Sequence, residues 1–255
     1  MKRAAAAPRR TKQTAPPSSP SINEQADAAI AALKRIGTKK AREGMARYAI
    51  PSDHAFGVPF ATVQKMGKAL APNHALAQAL WDTGWYEARL MAAFVDDPAL
   101  VTSAQMDRWC AEFENWAVCD TLCFKLFDRA PDAWRKVAPW SRLRDETGRR
   151  AGFVMLACLA LHDKEASDAA FLRTLPIIER GAADERNFVK KAVNWALRAV
   201  GGRNKVLNAA AVDVARRLAE SADAAPRWVG KDALRALTSP AMTRKLSGAR
   251  RAGAR

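Results

Sequence analysis

Glu146-Thr-Gly-Arg149-Arg150-Ala-Gly-Phe153-Val-Met-Leu-Ala-Cys158-Leu-Ala-Leu161 opens with charge and then turns almost wholly apolar. The run is far longer than an ordinary strand and has no alternation of period two, so it reads as the apolar part of a helix over 142–161, covered on nearly every side. Such a helix needs other helices around it. The rest of the chain supplies them. Ser21-Ile-Asn-Glu24 is a capping box that starts a helix running to Ile36, where Gly37 stops it. Apolar residues at helical spacing predict further helices over 39–49, 59–71, 73–83, 85–95, 103–113, 115–129, 132–139, 167–180, 184–200, 204–221 and 229–238. Pro51 and Asp96-Asp97-Pro98 mark breaks between them. No segment alternates for long enough to be a strand. Helix pairs recurring every 35–45 residues or so, without a strict sequence repeat, predict an all-α superhelical solenoid of HEAT-like pairs; an irregular orthogonal bundle is the competing fold.

The 255 residues carry a formal charge of +16, unevenly spread. Residues 1–20 and 244–255 hold five cations each and no acid, which leaves +6 on residues 21–243. Residues 1–20 and 241–255 are therefore expected to be disordered basic tails around one domain, 21–240. Basic tails on a mildly basic body suit a polyanion, most simply nucleic acid, although charge alone also fits plain solubility. No run of 18 uncharged apolar residues exists, and the N-terminus lacks a secretory core, so no membrane span or signal is expected. Cys110, Cys119, Cys123 and Cys158 form no CxxC, and the three histidines lie far apart. A metal site is not expected; the cysteines read as small buried hydrophobes of a cytoplasmic, nucleoid-associated protein.

Three segments break the packing pattern. In Phe113–Phe127 the helical stripe reads Phe113, Trp116, Asp120, Cys123, Phe127, which puts a carboxylate in the middle of an apolar face. Buried alone it would cost several kcal/mol, so it either pairs with a neighbouring helix or lines a cleft. Arg149 and Arg150 sit in the first turn of their helix, against the macrodipole preference, and call for an anion: a carboxylate such as Asp120, or a phosphate. In 184–200, Lys191, Trp195 and Arg198 share one face. A tryptophan between cations fits a nucleic-acid surface, and equally a packed ring with a basic rim. Trp81, Trp85, Trp109, Trp134, Trp140 and Trp228 are expected to fill helix contacts.

Taken in order, Gly44-Met-Ala-Arg-Tyr48, Trp85-Tyr-Glu-Ala-Arg-Leu90, Asn115-Trp-Ala-Val-Cys-Asp120, Arg149-Arg-Ala151 and Phe188–Arg198 resemble the alkylpurine DNA glycosylases of the DNA alkylation-repair family, built of HEAT-like repeats. The resemblance implies a concave DNA-binding face and excision of cationic alkylated purines (3-methyladenine, 7-methylguanine) from duplex DNA by a monomer without cofactor. It places the family's cleft aromatics on Tyr48, Trp116 and Trp195, its essential aspartate on Asp120, its cleft arginine on Arg150 and a backbone-binding arginine on Arg198. Arg149 and Lys191 are expected to join them in holding DNA. Ala117 stands where many relatives carry another acid. A catalytically silent scaffold binding DNA or a protein is the alternative.

Overall fold

The computed structural model describes residues 19–248. Nearly all of the expected N-terminal tail and the last seven residues lie outside the described residues. Fifteen α-helices follow one another among those described: α1 Ile22–Ile36, α2 Lys39–Gly44, α3 Phe60–Leu70, α4 His74–Asp82, α5 Tyr86–Val95, α6 Ser103–Ala111, α7 Trp116–Lys125, α8 Ala133–Trp140, α9 Glu146–His162, α10 Asp168–Leu172, α11 Leu175–Gly181, α12 Asn187–Gly201, α13 Lys205–Ala219, α14 Ala224–Leu237 and α15 Pro240–Gly248. Short 3-10 turns stand at Met45–Tyr48, Pro98–Leu100 and Phe127–Arg129. No strand occurs among the described residues.

Sequential helices pack as hairpins, α4 on α5, α8 on α9 and α13 on α14, while α5, α7, α9, α12 and α14 lie side by side in one row. This pairing and stacking is the HEAT-like solenoid expected from the pattern. Helix α9 is its spine: it touches α7, α8 and α12, and every residue from Arg150 to Ala160 is buried. The α8–α9 crossing is so close that a Cβ on Gly152 would stand 2.3 Å from the Ser141 amide nitrogen, so only glycine fits there. At the α4–α6 contact Trp81 and Trp109 are fully buried and stacked, centroids 4.3 Å apart and planes 6° off parallel.

Several boundaries differ from the pattern-based expectation, each for a local reason. Helix α9 starts at Glu146 because the Asp145 carboxylate caps it, accepting from the Gly148 amide at 2.6 Å. The stretch 167–180 divides into α10 and α11, since Pro176 cannot donate to a continuing helix and disfavours helical backbone before it. The stretch 39–49 tightens into a 3-10 turn ending at Ala49, whose φ of 54° is left-handed. The stretch 115–129 ends as α-helix at Lys125, where Leu126 leaves helical geometry. Helix α14 begins at Ala224, five residues before the expected start, because Pro226 is tolerated in a first turn. The expected tail from 241 is helical as far as Gly248. Ser239 starts that helix by accepting from the Met242 amide, and Met242 packs on the core. Trp228 is also a correction: it is 40% exposed, with the Lys190 ammonium 5.1 Å over its ring.

All four cysteines are buried and reduced. Burial pushes the Cys123 and Cys158 thiols up from their ordinary value, which keeps them as apolar filler. No helix among the described residues is long and apolar enough to cross a membrane.

Candidate nucleic-acid interface and its carboxylate

Helix α7 begins at Trp116 because Asn115 caps it, its side-chain oxygen accepting from the Ala117 and Val118 amides at 3.0 and 3.1 Å. The cap fixes where the indole emerges. Trp116 is half-buried, and its Nε1 donates to the Tyr48 carbonyl at 2.7 Å. This bond ties α7 to the 3-10 turn that carries Tyr48, whose side chain is 64% exposed. The segment after Tyr48 is held from below by Glu87 of α5. Its buried carboxylate accepts from the amides of Phe56, Gly57 and Val58 at 2.7–3.1 Å. Gly57 at φ 81° gives that loop its reversal.

One turn into α7, the Asp120 carboxylate faces α9. Arg150 donates to it twice, Nε to Oδ1 at 2.8 Å and Nη2 to Oδ2 at 2.7 Å, and its Nη1 donates to the Phe188 carbonyl of α12 at 2.6 Å. One buried guanidinium thus joins three helices through a two-pronged, charge-assisted contact. Burial pushes the Asp120 carboxyl up from its ordinary value, against the pull of the Arg150 hydrogen bonds and charge. For Arg150, burial works against the charged form but Asp120 carries the guanidinium above its ordinary value. The sequence left Asp120 either paired or lining a cleft, and the structure gives it a partner in the wall of a cleft. Tyr48, Trp116, Arg150 and Lys191 line a cavity of about 480 Å³ with Arg47, Asn187 and Phe188, and Asp120 is paired to the Arg150 of that wall.

The other expected residues divide. Trp195 and Arg198 line a separate cavity of about 570 Å³ at the far end of α12, with Lys164, Arg203, Asn204 and Lys245. Trp195 stacks loosely on Phe124 of α7, centroids 6.5 Å apart, so the two tryptophans flank Asp120 along α7 from opposite ends instead of sharing one pocket. The stripe Lys191, Trp195, Arg198 is the bridge between the cavities, spanning roughly 10 Å at 1.5 Å per residue. Arg149 points elsewhere. Its Nε lies 3.2 Å from Asp184 Oδ2, a carboxylate that Arg186 also holds at 2.6 Å. It lines neither cavity. Sequence reading missed Arg47, Lys164, Arg203 and Lys245. Lys245 fell in a stretch read as tail, and the others carry no periodic signal.

A row of stacked helix hairpins is the architecture of a HEAT-like repeat protein. A profile of the DNA alkylation repair enzyme family matches residues 29–237, and the chain belongs to that family. No curated protein matches the chain. Among solved structures, one described as a new family of proteins related to the HEAT-like repeat DNA glycosylases, with affinity for branched DNA structures, superposes with a TM-score of 0.68. It is 20% identical, over 81% of this chain and 92% of that one, a likeness of fold.

Proposed function

We propose that this protein is a base-excision glycosylase that hydrolyses the N-glycosidic bond of cationic alkylated purines, 3-methyladenine and 7-methylguanine, in duplex DNA. The supporting observation is a single carboxylate, Asp120, held by Arg150 one helical turn from a cleft tryptophan. Alkylation makes the base cationic and a good leaving group, so the enzyme needs no strong general acid. As the C1′–N bond breaks, the electron pair leaves with the base, which becomes neutral, and positive charge builds on the sugar. Water adds its oxygen to C1′ and releases a proton to solvent. Asp120 stabilises the sugar charge and orients the water, while Arg150 is a positioning residue that keeps the carboxylate ionised and aimed. The ring faces of Trp116 and Trp195 favour the same cation from either side. Tyr48, Lys191 and Arg198 hold the strand that carries the lesion.

A second reading rests on a specific observation. Both Asp120 oxygens are already engaged by Arg150, which also suits a DNA-binding protein without excision. The experiment is single-turnover release of free methylpurine from 7-methylguanine duplex, read beside duplex binding. Asp120→Asn alone leaves Arg150 a buried charge with a poorer partner, so the neutral pair Asp120→Asn with Arg150→Gln is the cleaner variant. Wild type should release base, and the pair should lose roughly a hundredfold or more in rate while keeping duplex affinity. Binding without release by the wild type establishes the second reading.

A further inference from the structure

The Asp128 carboxylate has no part in the chemistry above, yet its side chain is wholly enclosed. It stands in the 3-10 turn Phe127–Arg129 that follows α7. Its Oδ2 accepts from Nδ1 of His162, the last residue of α9, while its Oδ1 has no hydrogen-bond partner. Burial pushes the Asp128 carboxyl up from its ordinary value, against the pull of the His162 hydrogen bond and charge. Burying a carboxylate for one imidazole is a poor way to gain stability, since an apolar pair of similar volume often does as well or better. What the pair does achieve is to pin one ring. An ionised carboxylate only accepts, so Nδ1 carries the proton and the imidazole takes one orientation.

The pinned ring meets Phe124 of α7, centroids 4.4 Å apart and planes crossed at 75°. Phe124 in turn lies at 24° to Trp195 of α12. It follows Asp120 by four residues, so the two side chains are neighbours one turn apart on the same face of α7. The line Asp128, His162, Phe124, Trp195 therefore joins the 3-10 turn, α9, α7 and α12, and ends on a ring beside the carboxylate. Space makes the pin necessary. The His162 side chain is 37% exposed and borders a cavity of about 590 Å³ lined by α3, α5 and α7, into which the imidazole would swing if nothing held it. Phe124 and Trp195 are only half-buried, so packing alone locks neither. The Lys125 ammonium also lies on the Phe124 ring, 4.5 Å from its centroid, but on a flexible stem.

We propose that His162, held by Asp128, is a positioning residue that sets the Trp195 ring through Phe124. The inference rests on the reading of Trp195 as part of the excision site. An indole face attracts a sugar cation through its ring quadrupole, which acts only over the face and at short range. Phe124 gives the indole a flat neighbour, and the imidazole crossed against Phe124 keeps that neighbour from turning. Neither ring touches the sugar; both act through Trp195. A phenylalanine at position 162 would fill the same space but offer Asp128 nothing to hold.

The test reads Trp195 and base release separately in full-length wild type, His162→Ala, His162→Gln, Asp128→Asn and Asp128→Val. Trp195 is read as the difference in emission and iodide quenching between each protein and the same protein carrying Trp195→Phe. Release is the single-turnover rate on 7-methylguanine duplex, with duplex affinity measured beside it. Gln at 162 keeps a donor for Asp128 but no ring. Asn at 128 keeps an acceptor for Nδ1, whereas Val keeps only the volume. His162→Ala, His162→Gln and Asp128→Val should each shift the Trp195 emission to the red, raise its quenching and slow release about tenfold. Duplex affinity should stay within about twofold of wild type. Asp128→Asn should match wild type in both readouts, a rescue that loss of a buried charge pair alone would not give. If Asp128→Val fails to fold, His162→Gln and Asp128→Asn carry the comparison. Unmoved Trp195 quenching in His162→Ala and His162→Gln overturns the proposal, as do wild-type release rates from proteins in which that quenching has risen. Wild type that releases no base removes the excision reading instead, and the quenching series still decides whether His162 sets Trp195.

Discussion

Trp109 and Trp116 stand seven residues apart and occupy opposite situations. Trp109, on α6, is fully buried, stacked on Trp81 with Phe127 tilted 6.1 Å away. Its surroundings are so apolar that its indole N–H has no partner. Trp116, at the first position of α7, keeps part of its ring in a cavity and its N–H on the Tyr48 carbonyl. The break between α6 and α7 makes the difference. A continuous helix would have put both rings on one stripe two turns apart, whereas the Asn115 cap restarts the helix and aims Trp116 at the edge of the row. The same side chain is core on one side of that break and a partly exposed cavity wall on the other.

The largest effect expected from this contrast is on stability. Trp109→Ala should cost about 3–5 kcal/mol, the range for truncating a buried large aromatic, with near-normal activity per folded molecule. Denaturant melts measure it. A loss no larger than that of Trp116→Ala would erase the distinction.

Arg150→Ala comes next. It strands Asp120 among apolar neighbours and unties α7, α9 and α12 together. Removing one partner of a well-buried pair costs about 3–5 kcal/mol; because Asp120 keeps 22% side-chain exposure, about 2–3 kcal/mol is expected here. A double-mutant cycle with Asp120→Asn isolates the coupling. Additive losses would mean that the pair is not the joint it looks like. Trp116→Ala should be milder for the fold and harsher for function. It leaves little cavity, so stability should fall by at most about 1–2 kcal/mol, while excision drops at least tenfold. Melts and single-turnover rates on one preparation decide it, and a rate loss no greater than the stability loss explains would return Trp116 to packing.

The contrast also shows what the sequence can and cannot say about such a site. The solenoid was legible because α9 and its neighbours carry long apolar runs at helical period, and because the capping box at Ser21 and the break at Asp96–Pro98 are local chemistry. The Asp120–Arg150 pair was legible for a similar reason: a carboxylate in an apolar stripe and arginines at a helix N-terminus each violate a local rule, and the two violations cancel. The division of the expected site into two cavities was not. Lys191, Trp195 and Arg198 share one helix face, and only the packing of α12 against the end of α7 and against α15 decides which cavity each enters. Arg149 was placed differently for the mirror reason. Its signal was the same as that of Arg150, but one residue turns it by about 100° on the helix, towards Asp184, which offers nothing in sequence to mark it as a partner.

Arg149 therefore gives the smallest and most discriminating effect. Asp184 is buried, and its carboxyl is held below its ordinary value: burial works the other way, but the Arg186 hydrogen bonds and charge prevail, with Arg149 adding a smaller Coulombic share. A depressed carboxylate contributes stability that is present above its unfolded value, near 3.9, and is lost as pH falls through the lower folded value. Arg149→Ala removes only the minor partner. Stability at pH 7 should fall by less than about 1 kcal/mol, and the acid limb of the pH–stability curve should flatten slightly below about pH 4. Asp184→Asn should flatten it further. Neither change should alter duplex affinity or its salt slope, because Arg149 reaches neither cavity. Melts between pH 3 and 7 beside a salt titration make the comparison. If Arg149→Ala flattens the salt slope by about 0.9, as the loss of one phosphate contact would, Arg149 is a DNA ligand as its position beside Arg150 first suggested, and the division of labour between the two arginines is wrong.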